Sequence, residues 1–178
     1  MRNLKKIRKS FVTGKKHPSA ILSLMSIVRY HGGIVYPKFL TDESKTIDGV
    51  TKLSHLVNAA NAVGLVTKAV RSNIENLKII INPVILFVTN DQGKEDYIVC
   101  YGYDRRFLVG VPGWSLTQFS DEEMMSVWES KIMLYLEPID SFKKTFHISN
   151  HISACRPQSR FREWLEKFKY ILRKIIKF

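Results

Sequence analysis

The feature that most constrains the fold is a change of hydrophobic period near Pro83. Upstream of it, apolar residues recur at helical spacing. Ile21, Leu24, Met25 and Val28 form an i, i+3, i+4, i+7 stripe over Ser19 to Tyr30, with Gly32-Gly33 as the stop. Thr51 to Val63 repeats the stripe through Leu53, Leu56, Val57, Ala60 and Val63, and Gly64 closes it. Tyr36 to Leu40 reads as a short helix and Thr41 to Ile47 as a polar loop. Val66 to Arg71 alternates like a half-buried strand, and Ile74 to Leu77 is a short helical turn. From Pro83 onward the apolar runs are short and bounded by turn residues: Val84 to Val88, Tyr97 to Tyr103, Phe107 to Val111 and Trp114 to Phe119. Ser120 is placed to cap a helix reaching about Trp128, with Asp121, Glu122 and Glu123 in its first turn. Lys131 to Leu136 then closes the sheet. Helices first and an antiparallel meander afterwards predict an α+β domain.

A chain of 178 residues suits one domain with a core of its own. No apolar run reaches the ~18 residues that a bilayer span requires. The basic N-terminus lacks the apolar stretch of a secretory signal, so a cytoplasmic location is expected. Cys100 and Cys155 have no metal-ligand spacing, and thiols stay reduced in that compartment; neither a metal, a cofactor nor a disulfide is expected.

The net charge of +12 is unevenly placed. Residues 1–16 hold seven Lys and Arg without an acid, and residues 157–178 hold seven against two Glu. The stretch between carries fourteen of each sign, so it has no charge to spare for a basic groove, and nucleic acid is not an expected partner. In the last segment Phe161, Trp164, Leu165, Phe168, Ile171, Leu172 and Ile175 share one helical face, with Lys and Arg over much of the rest. A basic amphipathic helix of this kind suits a membrane interface, a partner groove or its own domain. The tails thus offer peripheral attachment to the anionic inner face of the plasma membrane.

Several motifs fall in a recognisable order: His17-Pro18-Ser19-Ala20-Ile21-Leu22-Ser23-Leu24, then Arg29-Tyr30-His31-Gly32-Gly33, then Asp96-Tyr97-Ile98-Val99-Cys100-Tyr101-Gly102, then Val109-Gly110-Val111-Pro112-Gly113-Trp114, and Leu136-Glu137-Pro138. Together they resemble the papain-like cysteine peptidases that process bacteriocins after double-glycine leaders, a domain usually fused to the front of a peptide-exporting ABC transporter. The resemblance runs from about Ser10 to Pro138. It implies a papain-like fold, with N-terminal helices packed on an antiparallel sheet. It also implies an organisation into a basic arm (1–16), a peptidase-like domain (17–140), a linker (141–156) and a basic amphipathic helix (157–178). That last helix is similar to the interfacial elbow ahead of the first span of such exporters.

The resemblance also assigns positions, and each holds a residue foreign to the chemistry. Where the family has a nucleophilic cysteine opening a helix, this chain has Ser19. A thiolate there is stabilised by the helix N-terminus and a histidine, whereas an alcohol is not usefully ionised; Ser19 also suits a plain capping role. The general-base histidine corresponds to Asp96, whose carboxylate is a poor proton acceptor at neutral pH. The orienting aspartate corresponds to Val111, and the oxyanion glutamine to Thr13. His17, His31, His55 and Cys100 offer no second catalytic set, and no GxSxG elbow, phosphate loop or HExxH is present. The expectation is a degenerate peptidase-like domain that holds a leader-type or export-substrate peptide beside a separate ABC transporter. The alternatives are an active leader peptidase with an atypical nucleophile, and a basic membrane-surface or nucleic-acid-binding protein acting through its tails.

Overall fold

Nine consecutive residues of one helix, Ala20 to Val28, are buried, and the rest of the architecture is arranged to cover them. The computed structural model describes residues 3–47, 49–90, 92–140 and 142. Among these the chain runs α1 (Leu4–Ser10), α2 (Ser19–Tyr30), α3 (Pro37–Glu43), α4 (Leu53–Ala62), β1 (Leu65–Arg71), α5 (Ile74–Lys78), β2 (Val84–Thr89), β3 (Glu95–Asp104), β4 (Arg106–Gly110), β5 (Leu116–Phe119), α6 (Asp121–Val127) and β6 (Ile132–Pro138). The α+β class and nearly every element agree with the periodicity. The linker over 141–156 and the helix over 157–178, with Phe161, Trp164, Leu165, Phe168, Ile171, Leu172 and Ile175, lie outside the described residues apart from Phe142.

The six strands are antiparallel in the order β1-β6-β2-β3-β4-β5. The sheet is therefore a meander only from β2 to β5. The last strand, β6, inserts between β1 and β2, with Val66 opposite Glu137 and Ile85 opposite Leu134. Met133, Leu134 and Leu136 of β6 are almost fully buried, which suits an interior strand. The half-exposed β1 takes the edge.

Alternation along the strands divides the core in two. Tyr97, Val99 and Tyr101 of β3 face Ile21, Leu24, Ile27 and Leu56 of α2 and α4. Ile98 and Cys100 face the other way, toward Leu77, Met124 and Trp128 under α5 and α6. Trp128 is fully buried, and its Nε1 donates to the carbonyl of Ile132 at 2.8 Å. Helix α6 opens with a capping box: Ser120 Oγ accepts from Glu123 N–H, and the Glu123 carboxylate accepts from Ser120 N–H.

Residues 4–10, read from their charge as part of a basic arm with no secondary structure assigned, form a helix. Asn3 caps them into a helix by accepting from Lys6 N–H at 3.0 Å, and Ile7 is 2% exposed. A buried hydroxyl seam ties this helix end to α2. Ser26 Oγ accepts from Val12 N–H at 2.9 Å and donates to Leu22 O at 2.8 Å. After β6 the chain returns to the end of α2, where Phe142 lies so close to Gly33 that a Cβ there would meet its ring at 2.8 Å.

The two tryptophans described in one half of the chain make opposite predictions. Trp128→Ala should remove about 3–5 kcal/mol of stability. Trp114→Ala, at a residue 74% exposed, should change it by no more than about 0.5 kcal/mol. Urea denaturation of the two variants checks this.

Candidate functional site

The positions singled out by sequence gather around the N-terminal half of α2. Pro18 is the N-cap, with φ −56° and ψ 147°, and it has no side-chain donor or acceptor to offer the helix. Ser19 is thus the first helical residue rather than its cap, a correction to the capping role expected for it. It is half-buried. Ser23, one turn further along the same face, donates its Oγ proton to the carbonyl of Tyr97 at 3.3 Å.

That bond locates Asp96. Strand β4 ends at Gly110, whose partner on β3 is Val99, so β4 does not reach Tyr97. Within a strand the N–H and C=O of one residue point to the same side. The Tyr97 carbonyl goes to Ser23 on α2, and the Tyr97 N–H, aimed the same way, donates to Asp96 Oδ1 at 2.8 Å. The Asp96 carboxylate lies beside this N–H, next to the edge that β4 leaves open. There it caps a backbone amide.

Val111 stands just past the end of β4 and begins a turn. Its N–H donates to Ser115 O at 2.9 Å, and its carbonyl accepts from Trp114 N–H at 3.0 Å. The segment before α2 runs beside this turn. Phe11 packs on Gly110, where a Cβ would meet its ring at 2.8 Å, and Thr13 Oγ1 donates to Trp114 O at 3.3 Å. Thr13 and Val111 are thus joined through one turn, and Ser19 and Asp96 through Ser23 and Tyr97.

The assembled groups are an alcohol, an amide-capped carboxylate and an aliphatic side chain. Among the histidines, His17 is exposed two residues before Ser19. His55 is on α4. His31 is at the far end of α2, ~18 Å from its start at the helical rise of ~1.5 Å per residue. Cys100 is fully buried and faces the α5–α6 side of the sheet. Among the described residues, no group of three His, Cys, Asp or Glu could hold a metal ion, and no helix is long and apolar enough to cross a membrane.

Sequence reasoning missed three exposed apolar residues on segments tied to these positions. Trp114, expected to open β5, precedes that strand and is 74% exposed. The segment assigned to a polar loop carries Ile47, which forms a two-residue bridge with Val50; both side chains are exposed. The next residue, Thr51, accepts from Tyr97 Oη at 2.8 Å, so this hairpin is tied to the residue beside Asp96. Two exposed aliphatic residues in so short a loop were the available signal.

With this geometry in place, comparison with known proteins decides the family. The model of the peptidase C39 family matches residues 9–141. The chain belongs to the peptidase C39 family. No curated protein matches it in sequence. Among solved structures it is similar to the peptidase domain of Streptococcus ComA, described as a bifunctional ABC transporter of a quorum-sensing pathway. The identity is 22% and the TM-score 0.67, over 72% of this chain and 97% of that one. It is also similar to a double-glycine-motif protease from an AMS/PCAT transporter, solved with its leader peptide (18%, TM-score 0.63, 72% of this chain and 89% of that one). A third is the N-terminal C39-like domain of a toxin-secretion ATP-binding protein from Vibrio parahaemolyticus (24%, TM-score 0.59, 71% of this chain and 100% of that one). At these identities the structural matches establish a shared fold, in agreement with the papain-like expectation.

Two buried phenols on β3, Tyr97 and Tyr101, are shifted from the ordinary value. Burial pushes Tyr101 up to about 12. The Ser10 and Ser26 hydroxyls beside its Oη offset part of that rise. Burial raises Tyr97 as well, with Glu95 and Asp96 adding to it. The folded chain therefore keeps protons that the unfolded chain releases above the ordinary phenol value of 10.0. Stability falls as pH rises through that window. Urea midpoints measured from about pH 9 to about pH 12 should drop, by an amount on the order of 2 kcal/mol for Tyr101. In Tyr101→Phe the drop should be visibly shallower.

Proposed function

We propose that this C39 domain is catalytically degenerate and holds a leader-type or export-substrate peptide for an ABC-type exporter without cutting it. The observation that carries the reading is the group composition around the start of α2. By motif order, Ser19 falls where the family has its nucleophile, Val111 where it has the orienting aspartate, and Asp96 where it has the base histidine. The Asp96 carboxylate already caps Tyr97 N–H. A carboxylate is a far weaker base than the alkoxide it would have to generate, so it is a poor proton acceptor for an alcohol. Valine cannot fix the tautomer of an imidazole.

Binding is supported by the segments tied to these groups. Trp114, Ile47 and Val50 present exposed apolar surface there, as an apolar face of a peptide requires. The family relative from an AMS/PCAT transporter was solved with a leader peptide, which makes that chemistry the natural occupant here. Attachment to an exporter places the domain at the cytoplasmic side of a membrane.

A second reading keeps peptidase activity with Ser19 as an atypical nucleophile; the exposed His17 close before it in sequence is the observation in its favour. Cys100 is not a candidate for that role, being fully buried in the opposite core layer.

Both readings are separated by incubating the full chain with double-glycine leader peptides, following binding by fluorescence anisotropy and products by mass spectrometry. The expected result is saturable binding with the peptide intact, weakened about tenfold in Trp114→Ala. Cleavage that survives a thiol alkylator and disappears in Ser19→Ala would establish the second reading instead.

A further inference from the structure

The far end of α2 holds a second feature, independent of the peptide site. Helix α1 packs against the last turn of α2, and between them lies a groove of about 490 Å³. Lys5, Lys6, Lys9 and Arg29 line it together with Tyr30 and His31, and among the described residues no acidic side chain does. Among the described residues the salt bridges involve Lys78 and Arg106 only, so none of these four cations is neutralised by one. Lys6 Nζ stands 3.9 Å over the Tyr30 ring, a contact that orients the ammonium without cancelling its charge. His31 Nε2 is buried and lacks a hydrogen-bond partner among the described residues, a condition native proteins rarely leave without a purpose.

The ordinary explanation for basic residues here is compensation of the helix dipole. The C-terminal end of α2 carries roughly half a negative charge, which four full positive charges exceed many times over. The surplus makes the groove attractive to an anion from outside. A single carboxylate would leave most of it unbalanced, whereas a phosphate dianion offers more charge and several acceptor oxygens to ammonium, guanidinium and imidazole donors. The groove is large enough for a phosphate and part of the molecule that bears it.

We infer that the α1–α2 groove is a binding site for a phosphate group, with Lys5, Lys6, Lys9 and Arg29 as its cationic wall and His31 as a buried hydrogen-bonding partner. The phosphate can belong to a soluble molecule or to a lipid headgroup. The site is ~18 Å along α2 from Ser19, so its occupancy does not compete with a peptide at the opposite end.

The test titrates the full chain with inorganic phosphate while following the ring proton signals of His31, assigned by their loss in His31→Gln. His31 now titrates below its usual value, lowered by burial and by Lys6 and held up in part by Glu137. A bound anion favours the imidazolium, so phosphate should shift these signals saturably and raise the midpoint of their titration. Lys5→Glu combined with Lys9→Glu should weaken phosphate binding at least about tenfold. Both side chains are exposed, so the thermal midpoint of this variant should stay close to that of the parent. Lys15→Glu combined with Lys16→Glu makes the same charge change outside the groove and should leave the affinity within about twofold.

Vesicles of phosphatidylcholine, with and without phosphatidic acid, separate the two sources. Binding only to phosphatidic acid vesicles, competed by inorganic phosphate, supports the site and assigns it to lipid. Saturable phosphate binding with no preference between vesicles supports it and assigns it to a soluble ligand. The proposal is overturned if phosphate produces no saturable response, or if the two double variants lose binding equally, as diffuse net charge would require.

Discussion

The seating of α2 against β3 is the contact on which the remaining structure depends. Ile21, Leu24, Ile27 and Val28 are fully buried, and each such side chain contributes about 1.5–3 kcal/mol by leaving water. Ser23 and Ser26 would be liabilities in that environment, but each hydroxyl has a carbonyl to bond, and one also takes the Val12 amide. None of this stabilisation involves the chemistry of Ser19. The start of α2 is therefore held in place by the turns that follow it, whatever functional group stands there. Such a scaffold keeps its fold whichever groups stand at the start of α2.

The same scaffold shaped what could be read from sequence. Helices α2 and α4 and strands β2 to β4 announce themselves through local periodicity, because their buried faces are regular. The position of β6 does not, since Leu65 pairs with Pro138 across more than half the domain, and no local pattern encodes which edge a late strand will enter. Helix α1 was hidden for another reason. It contributes one buried aliphatic residue, Ile7, among four cations, too little to make a stripe. Counting residues 4–10 as a tail also made the body look neutral, although α1 packs on α2 and lends its lysines to the surface there.

At the candidate site, motif order singled out Thr13, Ser19, Asp96 and Val111, which stand on turns and element ends that the periodicity also marks. What escaped was the hydrogen bonding between them. The curl of Asp96 onto Tyr97 N–H arises where β4 stops short of Tyr97, and strand length is a property of the assembled sheet. Trp114 and Trp128 are equally apolar in sequence, yet one is exposed on a turn and the other is sealed beneath α6. The difference lies in which element each residue ends or begins.

The most direct measurement installs the family's groups at the three positions that motif order assigns to them. A variant combining Ser19→Cys, Asp96→His and Val111→Asp places a thiol, an imidazole and a carboxylate on the scaffold described above, and its action on a double-glycine leader peptide can be read by mass spectrometry beside the parent chain. If the fold has kept the geometry and lost only the chemistry, the variant releases the cleaved leader and the parent leaves it intact. Cleavage by the parent chain itself, abolished by Ser19→Ala, would contradict the account.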